Sequence, residues 1–171
     1  MNTGFADTPA LLGAIANAGA AMRNQIALLD EAMLNSVPYA GSWTAGELAN
    51  HVSKATAGLA RALHAEGAPS DRAPDERIAV LKQVMGDFET KMQSPEFILP
   101  DAGPFKKERS IAELEAAFAA VETAGADADL TQLVSGLPMG PVSKLELLHF
   151  VLYHTGRHGQ QMQRIVDKLK G

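Results

Sequence analysis

The sequence predicts an all-α protein, a helical bundle of four or five helices. Three observations carry that prediction. Hydrophobic residues make up 46% of the chain but aromatics only 5%, so the core must be built from Ala, Leu, Ile, Val and Met, side chains that suit helices. Apolar residues recur at steps of three and four rather than two. Three segments carry the Ser/Thr-x-x-Glu signature with which a helix start satisfies its own free amides: Thr44-Ala45-Gly46-Glu47, Ser110-Ile111-Ala112-Glu113 and Ser143-Lys144-Leu145-Glu146. No segment shows convincing strand alternation.

The first helix is expected from Thr8, with Thr8 as N-cap and Pro9 in the first turn. Its stripe runs through Leu11, Ile15, Ala18, Met22, Ile26, Leu29 and Met33, and Pro38 to Gly41 ends it after about eight turns. The capping box at Thr44 opens a second helix to about Glu66. A shorter helix is expected over Pro74 to Gln93, with the stripe Ile78, Leu81, Met85, Phe88 and Met92. Ser110 and Ser143 open the last two. The connections Ser94 to Arg109 and Gly125 to Val142 are long and rich in Pro and Gly, as crossovers or site-lining loops are. With no repeat, low-complexity tract or linker, residues 1–171 read as one domain.

Composition excludes several function classes. There is no cysteine, which removes disulfide scaffolds, thiolate nucleophiles, Fe–S clusters and cysteine-ligated zinc. Any metal must be held by His, Asp or Glu. With 15 basic and 20 acidic residues the net charge is −5, and no Lys/Arg stripe supplies the footprint that nucleic acid requires. No apolar run approaches the roughly 18 to 20 residues that span a bilayer, and Met1 to Ala20 lacks the basic n-region of a signal peptide. No membrane partner and a cytoplasmic location are therefore expected.

The five histidines separate by angle. His154 and His158 differ by about 40° on the helical wheel and continue the apolar stripe of Leu147, Val151, Met162, Ile165 and Leu169. His51 lies between Leu48 and Ala55 on the stripe that Leu59 and Ala62 extend. Three imidazoles thus point inward. His64 lies about 220° from His51 and reads as a surface residue; His149, about 140° from His154, falls on a flank. Buried imidazoles need partners for both nitrogens, and a cluster without them costs several kcal/mol. A divalent metal would satisfy them, with His-x3-His giving two ligands one turn apart and His51 the third, leaving a position open for water or substrate. The alternative is three independent core histidines bonded to carbonyls or carboxylates.

The segments Trp43-Thr44-Ala45-Gly46-Glu47-Leu48-Ala49-Asn50-His51 and Tyr153-His154-Thr155-Gly156-Arg157-His158-Gly159-Gln160-Gln161 resemble the DinB-like (DinB/YfiT) superfamily of bacterial metal-binding helical bundles. The resemblance implies a four-helix bundle of unusual connectivity, here with one additional shorter helix and long loops, often forming a homodimer. It implies that His51, His154 and His158 bind a divalent metal, zinc or nickel first, with iron or manganese also compatible. It further implies a small-molecule substrate and a low-molecular-weight thiol, since relatives include thiol-dependent transferases and isomerases. A metal-dependent hydrolase and a non-catalytic, stress-related metal- or ligand-binding bundle are the other two readings.

The residues around these motifs have plainer roles in prospect. Gln161, about 60° from His158, can face the site, whereas Gln160 points to solvent. Arg157 either binds an anionic substrate or sits on a flank in an ion pair. Trp43 and Tyr153 read as packing residues, Glu47 as the partner in a capping box, and Met22, Met33, Met85 and Met162 as core.

Overall fold

The computed structural model describes residues 7–171; the first six residues of the expected domain lie outside the described residues. Among the described residues the helices are α1 (Thr8–Ala27), α2 (Glu31–Leu34), α3 (Ala45–His64), α4 (Ile78–Gly86), α5 (Lys107–Asp127) and α6 (Lys144–Lys170), with a 3-10 turn at Glu96–Ile98. The all-α prediction holds. No helix among the described residues is long and apolar enough to cross a membrane.

Four long helices form the bundle, and their contacts make a ring: α1 packs on α5, α5 on α3, α3 on α6, and α6 on α1. Chain neighbours α1 and α3 therefore lie across a diagonal, as do α5 and α6. A diagonal step cannot be made by a tight turn, which accounts for the long links at 28–44 and 128–143. The shorter α4 lies outside the ring against α6. The interior is aliphatic: Ile15, Met22 and Ile26 of α1 meet Leu48 and Leu63 of α3, Leu114 and Val121 of α5, and Leu147, Met162 and Ile165 of α6, all at most 1% exposed. Helices α1 and α5 approach closely at Gly19, where a Cβ would stand 2.7 Å from the Phe118 ring.

The capping boxes at Thr44 and Ser143 both form as expected. Five expectations are corrected. The first helix does not run eight turns: it ends at Ala27, because Asp30 accepts the Met33 amide at 2.8 Å and N-caps the separate α2, so Leu34 is buried in place of Met33. Its N-cap is Asp7, not Thr8, and makes no side-chain cap bond. Helix α4 is half its expected length. Pro74 lies in a turn before it, and past Gly86 the Asp87 side chain accepts from the amides of Glu89 and Thr90 and from the Thr90 hydroxyl, so a local turn replaces the helix. Ser110 caps nothing: α5 has already begun at Lys107, and Ser110 is buried in its first turn. Finally, a two-stranded antiparallel ribbon of β1 (Leu133–Val134) and β2 (Val142–Ser143) occupies the expected loop, turned by Gly136 at φ +80°.

Ser143 leads from β2 directly into α6, and Glu146 in the first turn of α6 is fully buried. Its carboxylate accepts four N–H bonds: from Arg72 Nη1 at 2.6 Å, Arg72 Nη2 at 2.7 Å, the Arg77 amide at 2.7 Å and the Ser143 amide at 2.9 Å. This staple ties the start of α6 to the segment that leads into α4.

Candidate metal centre

Helix α3 presents His51 and α6 presents His154 and His158 to the same point in the interior. Each residue offers one ligand nitrogen, and these three atoms lie within 4.8 Å of one another. Ring centroids are 4.8 Å apart for His51 and His158, 4.5 Å for His154 and His158, and 5.5 Å for His51 and His154. His51 is 1% exposed and His154 8%. The helical stripes thus converge because α3 and α6 are neighbours in the ring.

The hydrogen bonds say which atoms are free. His51 Nδ1 donates to the carbonyl of Ile98 at 2.8 Å, and a carbonyl only accepts, so this nitrogen carries the proton and Nε2 keeps a lone pair. His158 Nδ1 is 2.9 Å from Gln161 Oε1, which fixes the same tautomer there. The two Nε2 atoms then face each other at 3.2 Å with lone pairs opposed. His154 makes no hydrogen bond through either ring nitrogen among the described residues, and its Nδ1 is fully buried. Among the described residues no carboxylate hydrogen-bonds to any of the three rings. Independent core histidines would not be left so, and a cation bound among the lone pairs removes both the repulsion and the desolvation deficit. The residues present therefore fit a metal ion.

Electrostatics favour the ligating form. Burial pushes all three imidazole pKa values down. For His51 burial is the chief cause, opposed by the Ile98 hydrogen bond and aided by Lys54. His154 falls well below the usual histidine range, through burial and then through the neighbouring His158 and His51. His158 is lowered to about 4, again by burial first and His51 next. At neutral pH all three are uncharged, as metal ligation requires.

Surrounding groups hold the rings in place. Trp43 packs on His51 at 5.0 Å between ring centroids, and Phe150 stacks on His154 at 5.5 Å. Asn50 and Lys54, the neighbours of His51 along α3, clamp the segment that carries the Ile98 carbonyl. Asn50 accepts the Asp101 amide at 2.8 Å, and Lys54 bonds the Leu99 carbonyl and the Asp101 carboxylate. Gln161, expected as a residue that can face the site, orients His158. Arg157 does sit on a flank, but among the described residues it makes no ion pair: its guanidinium is taken up by the backbone carbonyls of Met85, Asp87 and Thr90. His64 is exposed and His149 pairs with Tyr153, so neither joins the cluster.

Sequence reasoning missed the Ile98 carbonyl and Phe150. A backbone acceptor leaves no side-chain signature, although the apolar run Phe97-Ile98-Leu99 between Pro95 and Pro100 marks a loop that must bury against something. Phe150 stands four residues before His154, a spacing that places both on one face.

The cluster lies in the wall of a cavity of about 1290 Å³, larger than most small-molecule sites. The residues expected to form covering loops contribute to it from both connections, with Phe97 and Leu99 from one and Leu137 and Met139 from the other.

The family model of the DinB superfamily matches residues 14–162. The chain belongs to the DinB superfamily. No curated protein and no solved structure matches it.

Proposed function

We propose that this DinB superfamily protein holds one divalent metal on His51, His154 and His158, zinc or nickel as the family resemblance implies, and uses it to activate a low-molecular-weight thiol for transfer to an electrophile or for isomerisation. The observation that carries the metal reading is the set of three neutral imidazoles whose ligand atoms lie within 4.8 Å of one another on the wall of the cavity. Three neutral ligands leave a bound ion its full positive charge, and the chemistry it supplies is a Lewis acid that lowers the pKa of a thiol or water. The chain has no cysteine of its own, so a thiol nucleophile must come from solution.

The protein's part is positioning. The Ile98 carbonyl and Gln161 fix the tautomers of His51 and His158 and so aim Nε2 of each. Trp43 and Phe150 cover His51 and His154 with aromatic surface. Arg157 secures the turn after α4, part of the cavity wall.

Protein purified without chelator should carry about one divalent ion per chain by elemental analysis. His51→Ala, His154→Ala and His158→Ala should each lose it, and His64→Ala should keep it. Full metal in all three site variants overturns the metal reading. For the thiol, turnover of a generic electrophile is measured with a panel of small thiols, wild type against His154→Ala, alongside the spectrum of the cobalt-substituted protein. If no thiol raises turnover above the variant or shifts that spectrum, the thiol reading falls, and ester or amide hydrolysis would then identify a hydrolase.

A further inference from the structure

The cavity extends past the histidines, and its far end is built differently from the rest. Helices α3 and α6 run antiparallel: His51 meets His158 at 3.2 Å, and further along α3 the Ala65 carbonyl accepts from Lys144 Nζ at 2.7 Å. Going forward along α3 from His51 is therefore going back along α6 from His154 to Phe150, towards the ribbon of β1 and β2 that leads into α6. Arg61 lies on this side of the cluster, and Arg164 on the other.

Between His51 and Arg61 the wall of α3 is nearly bare. Gly58 stands seven residues beyond His51, about two turns on and about 20° round the helix, so both face the cavity, and Ala55 between them carries only a methyl group. Packing does not demand a glycine here. A Cβ on Gly58 would have one neighbour, Arg61 Nη2 at 3.6 Å, an ordinary contact, whereas one on Gly19 would clash with Phe118. A glycine inside a helix costs stability relative to alanine, and at this position it keeps the wall open. The same 3.6 Å shows that the Arg61 side chain folds back over Gly58, so its guanidinium stands about 10 Å along the axis from His51. Phe150, stacked on His154, and Leu137 and Met139 of the ribbon turn give this stretch apolar sides.

The two ends of this trough are both unpartnered. His154 is 8% exposed and bonds through neither ring nitrogen among the described residues. Arg61 has no hydrogen bond or ion pair among the described residues, whereas Lys54 and Arg157, cations of the same lining, are taken up by loops. The single carboxylate of the lining, Glu89, lies in the turn that Arg157 secures. A guanidinium without a counter-charge presents a planar fork of donors that matches a carboxylate.

We propose that the cavity takes an elongated ligand: a carboxylate held by Arg61, an apolar chain along the Gly58 trough and a reacting end among His51, His154 and His158. This rests on the metal-site reading, whose cavity it shares, and gives the ligand of that site a charge and a length. An extended chain advances about 3.5 Å every three bonds, so about 10 Å corresponds to roughly eight bonds between the carboxylate and the reacting atom.

The test uses matched pairs of thiols on the protein as purified: 8-mercaptooctanoate against the uncharged 8-mercaptooctan-1-ol, and 3-mercaptopropionate against 2-mercaptoethanol, which are too short to reach Arg61 from the histidines. Binding is followed by calorimetry near neutral pH, with the metal content of every sample measured. In the long pair the carboxylate should bind roughly tenfold more tightly, the gain expected of charge-assisted hydrogen bonds, and in the short pair the two should be equal within about twofold. Arg61→Gln should abolish the preference of the long pair and leave the long alcohol within about twofold of wild type. Arg164→Gln, on the other side of the cluster, should leave the preference in place. Gly58→Leu should fill the trough, so that both long thiols lose their advantage over the short ones while metal content is unchanged.

A third pair, octanoate against octan-1-ol in His154→Ala, separates this proposal from the metal reading, since it needs neither thiol nor metal; octanoate should bind more tightly, and the preference should vanish when Arg61→Gln is added. Equal affinities in the long pair and in the octanoate pair overturn the proposal, as does a preference that survives Arg61→Gln, falls equally in Arg164→Gln or appears undiminished in the short pair. Long thiols that bind Gly58→Leu as they bind wild type overturn it too. Any of these results with about one metal per chain leaves the metal site standing. If no sample holds metal but the Arg61-dependent preference for octanoate remains, the metal reading falls and the carboxylate site stands.

Discussion

Glu146→Gln should destabilise the protein by about 3 kcal/mol, although it removes no volume. The wild-type carboxylate accepts four N–H bonds in a site with no water access: two from Arg72 and one each from the amides of Arg77 and Ser143. A glutamine amide has one acceptor oxygen. Its NH2 group must face donors, so part of that set is left unsatisfied, and the Arg72 guanidinium loses its counter-charge. Breaking a buried pair on one side costs about 3 to 5 kcal/mol, and the lower end applies because the Arg72 side chain is 21% exposed and can recover some hydration. At about 2 to 4 °C per kcal/mol for a chain of this size, the melting temperature should fall by roughly 6 to 12 °C.

The pH dependence identifies the cause. Burial alone would raise the Glu146 pKa, but the Arg72 hydrogen bonds and the two backbone amides outweigh it and hold the group below its ordinary value of 4.5. A depressed folded-state pKa contributes stability that is fully present above the unfolded value and is lost as pH falls through the folded one. The gap between wild type and variant should therefore be constant above about pH 5.5 and narrow below about pH 4. Far-UV circular dichroism melts across that range measure it. Equal melting temperatures at neutral pH, or a gap unchanged by acid, would refute the reasoning.

Three further outcomes follow from the structure. Gln161→Ala removes the acceptor on His158 Nδ1, so metal affinity should drop by roughly 10- to 100-fold in competition with a chromogenic chelator; unchanged affinity would mean that this hydrogen bond does not orient the ring. Arg157→Ala should speed amide hydrogen exchange across residues 85–90 with metal content unaltered, because its bonds are to the backbone of that turn and not to the histidines. Gly19→Ala should cost about 1 to 3 kcal/mol in urea unfolding, since the added Cβ would meet the Phe118 ring at 2.7 Å; a neutral result would show that α1 and α5 separate easily.

What the sequence revealed of the fold depended on how local the deciding interactions were. The capping boxes at Thr44 and Ser143 are closed within four residues, so their pattern was sufficient. Ser110-Ile111-Ala112-Glu113 has the same pattern and forms no cap, because a helix start is decided by the residues before it as well, and α5 is already under way at Lys107. The first stripe is met at Ile15, Met22, Ile26 and Leu29, whereas Leu12 and Gly19 are buried in place of Leu11 and Ala18, and it runs past Asp30, a short acidic side chain that in a helical pattern can also begin a new helix. Stripe periodicity cannot tell one long helix from two short ones that keep the same face buried. The ring order of the helices was not legible at all, since it depends on which long link crosses which diagonal.

The three histidines were legible because each lies on the apolar face of a helix, where position alone determines direction. Of their supports, Gln161 was legible by its angle to His158, but the Ile98 carbonyl on His51 was not, nor were the carbonyls of Met85, Asp87 and Thr90 that take up Arg157, since a backbone acceptor has no side-chain signature. The side chains that reach those loops occur at one kind of place. Asn50 and Lys54 flank His51 on α3, and Arg157 precedes His158 on α6. A residue next to an inward-facing ligand, as Asn50 and Arg157 are, stands about 100° round the helix, and one three positions away, as Lys54 is, about 60°; both directions lie towards the border between core and solvent, from which a covering loop approaches. Polar side chains there fasten the loop to the helix that carries the ligand, so the cavity wall and the three-histidine cluster keep a fixed relation. Polar flanks beside buried histidines are thus a sequence signal for how a site is walled. In this chain the loop that Asn50 and Lys54 clamp also returns an acceptor to the histidine itself, so cavity wall and ligand orientation depend on the same contacts.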